Sequence, residues 1–289
     1  MVHPRAAQFL LVLALAASAG SAGAQAVLKR IADRQQVTIG YTETAAPFSF
    51  LEAGKPVGYA VDLCADVAQR LRGVLGQAAL RSRFVPVDQD NVARLLRAGS
   101  VDLLCGGISD TPQRRQSMDF SAPIYLSAVK LLVRADGPQS LDAMKGRTVA
   151  VIGRTTAEDA IADANRQRAL QLKAARVVSP EAALSQLRLK QADAWARDEV
   201  LIAGSLGRET DAGQFALLPE PLSKEVIAIA MPRDEQLRKV VNEALADAVR
   251  SGRLEALHDK WFVQPNSASA AGLKRPLSPE LKAEFDRLR

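Results

Sequence analysis

The sequence predicts a two-lobe α/β protein, each lobe a mostly parallel sheet flanked by helices, with two long strands joining the lobes. Three observations carry this prediction. Short apolar runs alternate with amphipathic helical patterns between residues 37 and 105, and again between 148 and 196. That alternation is the pattern of βαβ units, whose crossovers are right-handed. Two further runs, 124–133 and 222–231, are too long to end inside a unit and read as connecting strands. After the second, two helical patterns return the chain to complete the first lobe.

The 289-residue chain divides on this reading into a leader over 1–26, the first lobe over 27–125 and the second over 126–222. A return strand and the completion of lobe one occupy 223–263, and 264–289 is a C-terminal extension. In the leader Arg5 is the only charge. Residues 9–17 are apolar, and Ala22-Gly23-Ala24 follows. This is a secretory signal peptide with an A-x-A site, cut after Ala24 or Ala26. The run is too short to span a bilayer, which needs roughly 20 apolar residues. With no cysteine near the cleavage site, lipid anchoring there is excluded. The expected location is the periplasm.

Residues 37–41 read as the first strand, followed by the loop Thr42-Glu43-Thr44 and a turn near Gly54. The helix entered at Gly58 carries Leu63, Val67 and Leu71 on one face. Strand 80–87, helix 91–97 ending at Gly99, and strand 101–105 complete three βα steps. In the second lobe, strand 148–152 leads through the polar turn Gly153-Arg154-Thr155-Thr156 into helix 157–170. Strand 174–178, helix 180–190 and strand 192–196 follow. Arg197-Asp198-Glu199 opens the next helix. Residues 235–249 and 253–261 are helical. The first has Leu237, Val240, Val241 and Leu245 on its apolar face.

The stretch 101–116 holds the most chemistry. An apolar strand runs into Gly106 and Gly107, then into the cap-type residues Ser109, Asp110 and Thr111 before Pro112. Proline favours the first helical position, so a short helical turn is predicted to begin here, with Arg114 one turn in. Ligands of open α/β sheets bind at the carboxyl ends of strands. An arginine fork there suits a carboxylate. The competing reading is a solvent-exposed turn with an ordinary surface arginine.

Other classes find less support. The formal charge is +6, but the basic residues are dispersed among acids, without the basic stripe of a nucleic-acid binder. His3 and His258 are the only histidines, which argues against a metal site, and no cofactor is implied. Cys64 and Cys105 admit two readings, an exported disulfide or two small buried residues.

Taken in order, these segments resemble the polar amino-acid-binding proteins of bacterial ABC importers, solute-binding family 3, over residues 27–263. Residues 40–48 are similar to the family's first strand and A-P-F turn. Gly58-Tyr59-Ala60-Val61-Asp62-Leu63 resembles its G-F-D-I-D-L segment. Residues 102–114 resemble D-x-x-x-x-x-x-S-x-T-x-x-R, and 120–125 resemble F-S-x-P-Y-Y. Residues 146–156 resemble G-K-x-V-G-V-x-x-G-T-T, and Asp198-Glu199 its D-E pair. The Lys260-Trp261-Phe262 ending and Leu277-Ser278-Pro279-Glu280 resemble the glutamate/aspartate branch.

The resemblance implies a periplasmic-binding-protein type II fold. It also implies a monomeric receptor that captures an amino acid and delivers it to an inner-membrane permease. Arg114 is then expected to hold the ligand α-carboxylate with Ser109, helped by Thr155 and Thr156 at a helix start. Asp198 is expected to pair with the α-ammonium, near the Gly107 backbone, while Tyr59 and Thr42 flank the ligand side chain. The branch carries an arginine where Thr42 stands and a histidine near Pro180. Their absence predicts a larger or less charged ligand side chain, or a ligand outside the standard amino acids. Cyclohexadienyl dehydratases share the fold, and Glu43, Asp110, Glu158 or Glu199 are the acids such an enzyme would draw on. A ligand-sensing module is a third reading.

Overall fold

The computed structural model describes residues 19–88 and 90–289. The leader up to residue 18 lies outside the described residues. The first element, helix α1 (Ala19–Arg34), begins ahead of both expected cleavage points and continues into the fold. The sequence reading began the first lobe at residue 27 but placed its first element at strand 37–41, and missed this helix. Val27 and Ile31, one turn apart, are buried in lobe one. Arg30 Nη2 donates to Asp102 Oδ1 at 2.8 Å, while Asp102 Oδ2 accepts the Thr38 N–H at 2.8 Å. One buried carboxylate thus fastens α1 and the first strand together.

Lobe one continues with β1 (Gln36–Tyr41) and a three-stranded antiparallel flap of β2 (Thr44–Ala45), β3 (Ser49–Glu52) and β4 (Lys55–Val57). Next come α2 (Tyr59–Val74), β5 (Arg81–Pro86), α3 (Val92–Arg97), β6 (Leu103–Ser109) and the short β7 (Asp119–Phe120). The chain crosses on β8 (Tyr125–Arg134). Lobe two consists of β9 (Thr148–Ile152), α4 (Thr156–Arg168), β10 (Lys173–Val177), α5 (Pro180–Arg188), β11 (Ala194–Asp198), α6 (Glu199–Leu206) and β12 (Phe215–Leu217). It returns on β13 (Ser223–Met231), and α7 (Glu235–Arg250), α8 (Arg253–His258) and α9 (Pro279–Asp286) follow.

One sheet runs through both lobes in the order β10-β9-β11-β8-β13-β6-β1-β5. Its flanks are parallel: β1 pairs with β5 and β6, and β9 with β10 and β11. The two crossing strands pair antiparallel with each other, Ser223 opposite Val129 and Ile227 opposite Tyr125. Beyond that overlap each turns to its own lobe, β8 to β11 and β13 to β6. The lobes are therefore joined through a short overlap of β8 and β13, from Ser223 opposite Val129 to Ile227 opposite Tyr125, which is the geometry of a hinge.

Each lobe has apolar layers on both faces of its sheet, and this is why its strands read as continuous apolar runs. At the base of the hinge the Tyr125 ring stacks on Phe262 with centroids 4.5 Å apart, and Phe48, Tyr59 and His258 close the cluster. Burial pushes His258 down to about 4, so it is neutral at physiological pH. Cys64 on α2 and Cys105 on β6 form a disulfide, with Cα atoms 6.4 Å apart. It ties the helix to the strand beneath it and decides between the two readings of the pair. In the C-terminal extension Ser278 caps α9 by accepting the Leu281 N–H at 3.1 Å, and Leu281 and Phe285 are buried.

Candidate functional site

The carboxyl ends of β6 and β11 face each other across the cleft, as open α/β sheets place their ligand sites. A small cavity there is lined by Gly107, Ser109 and Arg114 from lobe one and by Thr155, Thr156, Ala157, Arg197 and Asp198 from lobe two. Ile152, Ala196 and Leu201 supply its apolar wall. The lobes stand close, and the cavity of about 30 Å³ holds little more than ordered water. A solute therefore enters only when the lobes part. Three of the contacts between them bear on closure. Arg197 Nη2 donates to the Thr44 carbonyl at 2.9 Å. Arg154 pairs with Asp90 at 2.5 Å on the rim. Gly204 of α6 lies against the cis Ala46–Pro47 peptide so closely that a Cβ would stand 2.1 Å from the Ala46 oxygen.

Arg114 is fixed from its own lobe. Its Nη1 donates to the Ser109 carbonyl at 2.8 Å, and its N–H to Thr111 Oγ1 at 3.2 Å. Burial lowers its pKa, while Glu225, Asp198 and Asp159 act in the opposite sense. An arginine starts so high that it stays charged. Opposite it, α4 begins at Thr156 with Thr155 as its cap residue. Thr155 Oγ1 turns back to donate to the Ile152 carbonyl at 2.7 Å. The first N–H groups of α4 have no intrahelical acceptor and point out of the helix start, which favours an anion.

Asp198 ends β11. It is 7% exposed, and its Oδ1 has no hydrogen-bond partner. Burial, reinforced by the Glu225 carboxylate, pushes its carboxyl up to about 7, with Arg197 and Arg114 opposing. A buried carboxylate left without a partner is a receptor for a cation or a donor. Together, a guanidinium, a helix start and an unpartnered carboxylate surround one small space, complementary to a molecule bearing both an anion and a cation.

Six of the eight residues singled out from the sequence meet here: Gly107, Ser109, Arg114, Thr155, Thr156 and Asp198. Two do not. Tyr59 is fully buried, donates its hydroxyl to the Ile124 carbonyl at 3.1 Å and packs in the hinge aromatic cluster. Thr42 lies outside the lining and donates to the Gly106 carbonyl at 3.0 Å. The helical turn predicted to begin at Pro112 is a three-residue 3-10 turn over Arg114–Gln116. The glycines and Ser109 belong to β6 rather than to a turn, because β13 pairs antiparallel along that edge as far as Ser109. Gly107 has φ +70°, and a Cβ there would meet the Phe48 ring at 2.7 Å, so the position admits no side chain. The sequence reading missed Arg197. Its one signal is an arginine set between Ala196 and Asp198 at the end of an apolar strand.

The fold and site thus define a two-lobed binding protein with an enclosed ligand cleft. A profile of the bacterial extracellular solute-binding proteins, family 3, matches residues 37–264, and the chain belongs to that family. It is similar to an L-glutamate/L-aspartate-binding protein of Pseudomonas aeruginosa, 28% identical over 259 residues covering 88% of this chain and 86% of the relative. Among solved structures it is similar to an ancestral arginine-binding protein bound to arginine. The identity is 25% and the TM-score 0.69, covering 79% of this chain and 99% of that one. It is also similar to an ancestral amino acid-binding protein that is a precursor of cyclohexadienyl dehydratase. There the identity is 26% and the TM-score 0.68, with 81% and 98% covered.

Proposed function

We propose that this protein is a periplasmic receptor, exported by a cleaved signal peptide, that closes its lobes on an α-amino acid and delivers it to an inner-membrane ABC permease. It acts as a monomer without a cofactor, and it releases its ligand unchanged. The observation that carries this is the pairing of Arg114 and the α4 start with the unpartnered Asp198 carboxylate around one cavity. The α-carboxylate of the ligand sits between Arg114 and the N–H groups of Thr156 and Ala157. Its ammonium takes the free Oδ1 of Asp198. Groups from both lobes are needed to complete this set, so the ligand binds the closed form better and shifts the population toward it.

The test is a thermal-shift screen of ligand-stripped protein against the amino acids and against their decarboxylated and N-acetylated forms. A cognate amino acid at a hundredfold over its Kd adds about 2.7 kcal/mol of stability. The altered forms add nothing at the same concentration. Silence for every amino acid would overturn the proposal.

A dehydratase reading draws on one observation, a carboxyl in the cleft held near neutrality and therefore able to donate a proton. Asp198 is the only carboxyl in the lining. The acids weighed from the sequence lie outside it. Glu158 binds Arg176 at 2.5 Å and the Arg154 N–H at 2.8 Å. Asp110 is held by Arg115, and Glu199 by Lys130 and Arg275. A single acid without a partner base favours binding over turnover. Conversion of prephenate or arogenate by the purified protein would reverse that preference.

A further inference from the structure

We infer that Arg197 is a specificity-determining residue and that the ligand side chain ends in a carboxylate. The inference rests on the receptor reading above and deepens it. Arg197 is 9% exposed, lines the same cavity as Asp198 and crosses the cleft to lobe one. Only one of its terminal nitrogens is satisfied: Nη2 donates to the Thr44 carbonyl, whereas Nη1 is buried without a partner. The guanidinium also rests against the Trp195 ring, 5.6 Å from its centroid, which fixes the side chain.

No carboxylate among the described residues lies within 4.0 Å of Arg197. The nearest fields are those of Asp198 and Glu181, and burial outweighs both. A buried cation without a counter-ion is costly unless something else supplies the charge. Glu181 is exposed and forms no ion pair with Arg197, and Asp198 is not free once a ligand is bound. Asp198 is taken by the α-ammonium. Glu225, the other buried acid of the region, accepts from Ser223 Oγ at 2.7 Å, and its field falls on Arg114 and Asp198. Arg114 is occupied by the α-carboxylate. Glu225 and Arg197 are then the buried charges without an ionic partner; Glu225 has its hydroxyl donor, whereas Arg197 has a donor to spare. A second carboxylate on the ligand meets both needs in one charge-assisted hydrogen bond.

The absence of an arginine at Thr42 and of a histidine near Pro180 predicted a less charged side chain. Arg197 reverses that expectation, because it brings a cation into the cleft from β11. The alternative is that Arg197 is only a latch between the lobes. A latch strengthens closure on every ligand alike, whereas a carboxylate reader discriminates among ligands, and the test separates the two.

Calorimetric titrations of the wild-type protein, Arg197→Gln and Arg197→Lys with L-glutamate, L-aspartate, L-glutamine, L-asparagine and L-arginine provide it. The wild type should prefer an acidic amino acid over its amide by at least about tenfold. Arg197→Gln should erase that preference by weakening the acid alone, and Arg197→Lys, which keeps the charge, should restore part of it. Circular dichroism melts confirm that each variant is folded. Tighter binding of an amide, apolar or basic amino acid by the wild type would overturn this inference and leave the receptor reading standing. So would equal weakening of all ligands by Arg197→Gln. Binding of no amino acid would instead bring down the receptor reading and this inference with it.

Discussion

Asp198→Asn should do two opposite things, making the empty protein more stable and the binding site worse. In the folded protein the carboxyl rises from its ordinary 3.8 to about 7, chiefly because it is buried. The folded state therefore holds a proton that the unfolded chain has already released, and stability falls as pH rises from about 4 to 7. Above pH 7 the loss is complete. At about 1.36 kcal/mol per unit the full difference is about 4 kcal/mol, an upper bound for what asparagine recovers at pH 8. At pH 4 variant and wild type should be nearly equal. Binding runs the other way, because only the ionised carboxylate attracts an ammonium. Once bound, that ammonium pulls the carboxyl down and releases its proton. Affinity of the wild type should therefore drop about tenfold between pH 8 and pH 6, with about half a proton released per ligand at pH 7. Urea denaturation of the empty protein at pH 4 and pH 8 measures the first effect. Calorimetry in buffers of different ionisation enthalpy measures the second. A flat affinity between pH 6 and 8, or an asparagine variant no more stable than wild type at pH 8, would refute the reasoning.

Three further outcomes follow from the geometry. Arg114→Ala removes a half-buried charge and should cost about 2–5 kcal/mol of ligand affinity in calorimetry, with little change in the melting temperature of the empty protein. Gly204→Ala puts a Cβ 2.1 Å from the Ala46 oxygen, so full closure is blocked. The same change adds up to about 1 kcal/mol of helix propensity to α6. Affinity should fall at least about tenfold while lobe stability holds or rises, and small-angle scattering with ligand present should show a more open molecule. Cys64→Ala with Cys105→Ala opens a cross-link spanning 41 residues, worth about 4 kcal/mol in the chain-entropy account. Urea denaturation should register that loss, whereas ligand affinity should stay within a few-fold, since neither sulfur lines the cleft.

The sheet was legible because its strands are buried on both faces, which leaves continuous apolar runs such as those of β9 and β13. The length of β8 and β13 betrayed the crossing between lobes. What escaped was of a different kind. The β2–β4 flap has strands of two to four residues, too short to show a period. Helix α1 begins just after the apolar run 9–17, so its Val27 and Ile31 did not stand out as a separate face. At Pro112 the cap-type residues were present but are used otherwise. Asp110 pairs with Arg115 and Thr111 accepts from Arg114, so they brace a turn that returns at once to β7.

The site divides along the same line. Ser109, Arg114, Thr156 and Asp198 could be placed in advance because each lies at the end of an element, where the topology converges the chain on the cleft. Arg197 could not, although it neighbours Asp198. An arginine after an apolar strand is ordinarily exposed, and nothing local distinguishes one that is buried. Its one hydrogen-bond acceptor is the carbonyl of Thr44, 153 residues earlier in the chain and on the other side of the cleft. A group that recognises the variable part of a ligand is most useful where it is sensed only at closure, since binding energy then selects among ligands as it shuts the cleft. In the proposed receptor Arg114 and Asp198 address the groups common to all amino acids, and each is placed by its own lobe. Arg197 rests on Trp195 within its own lobe but completes its hydrogen bond only across the cleft, and on our inference that is the point at which one solute can be told from another.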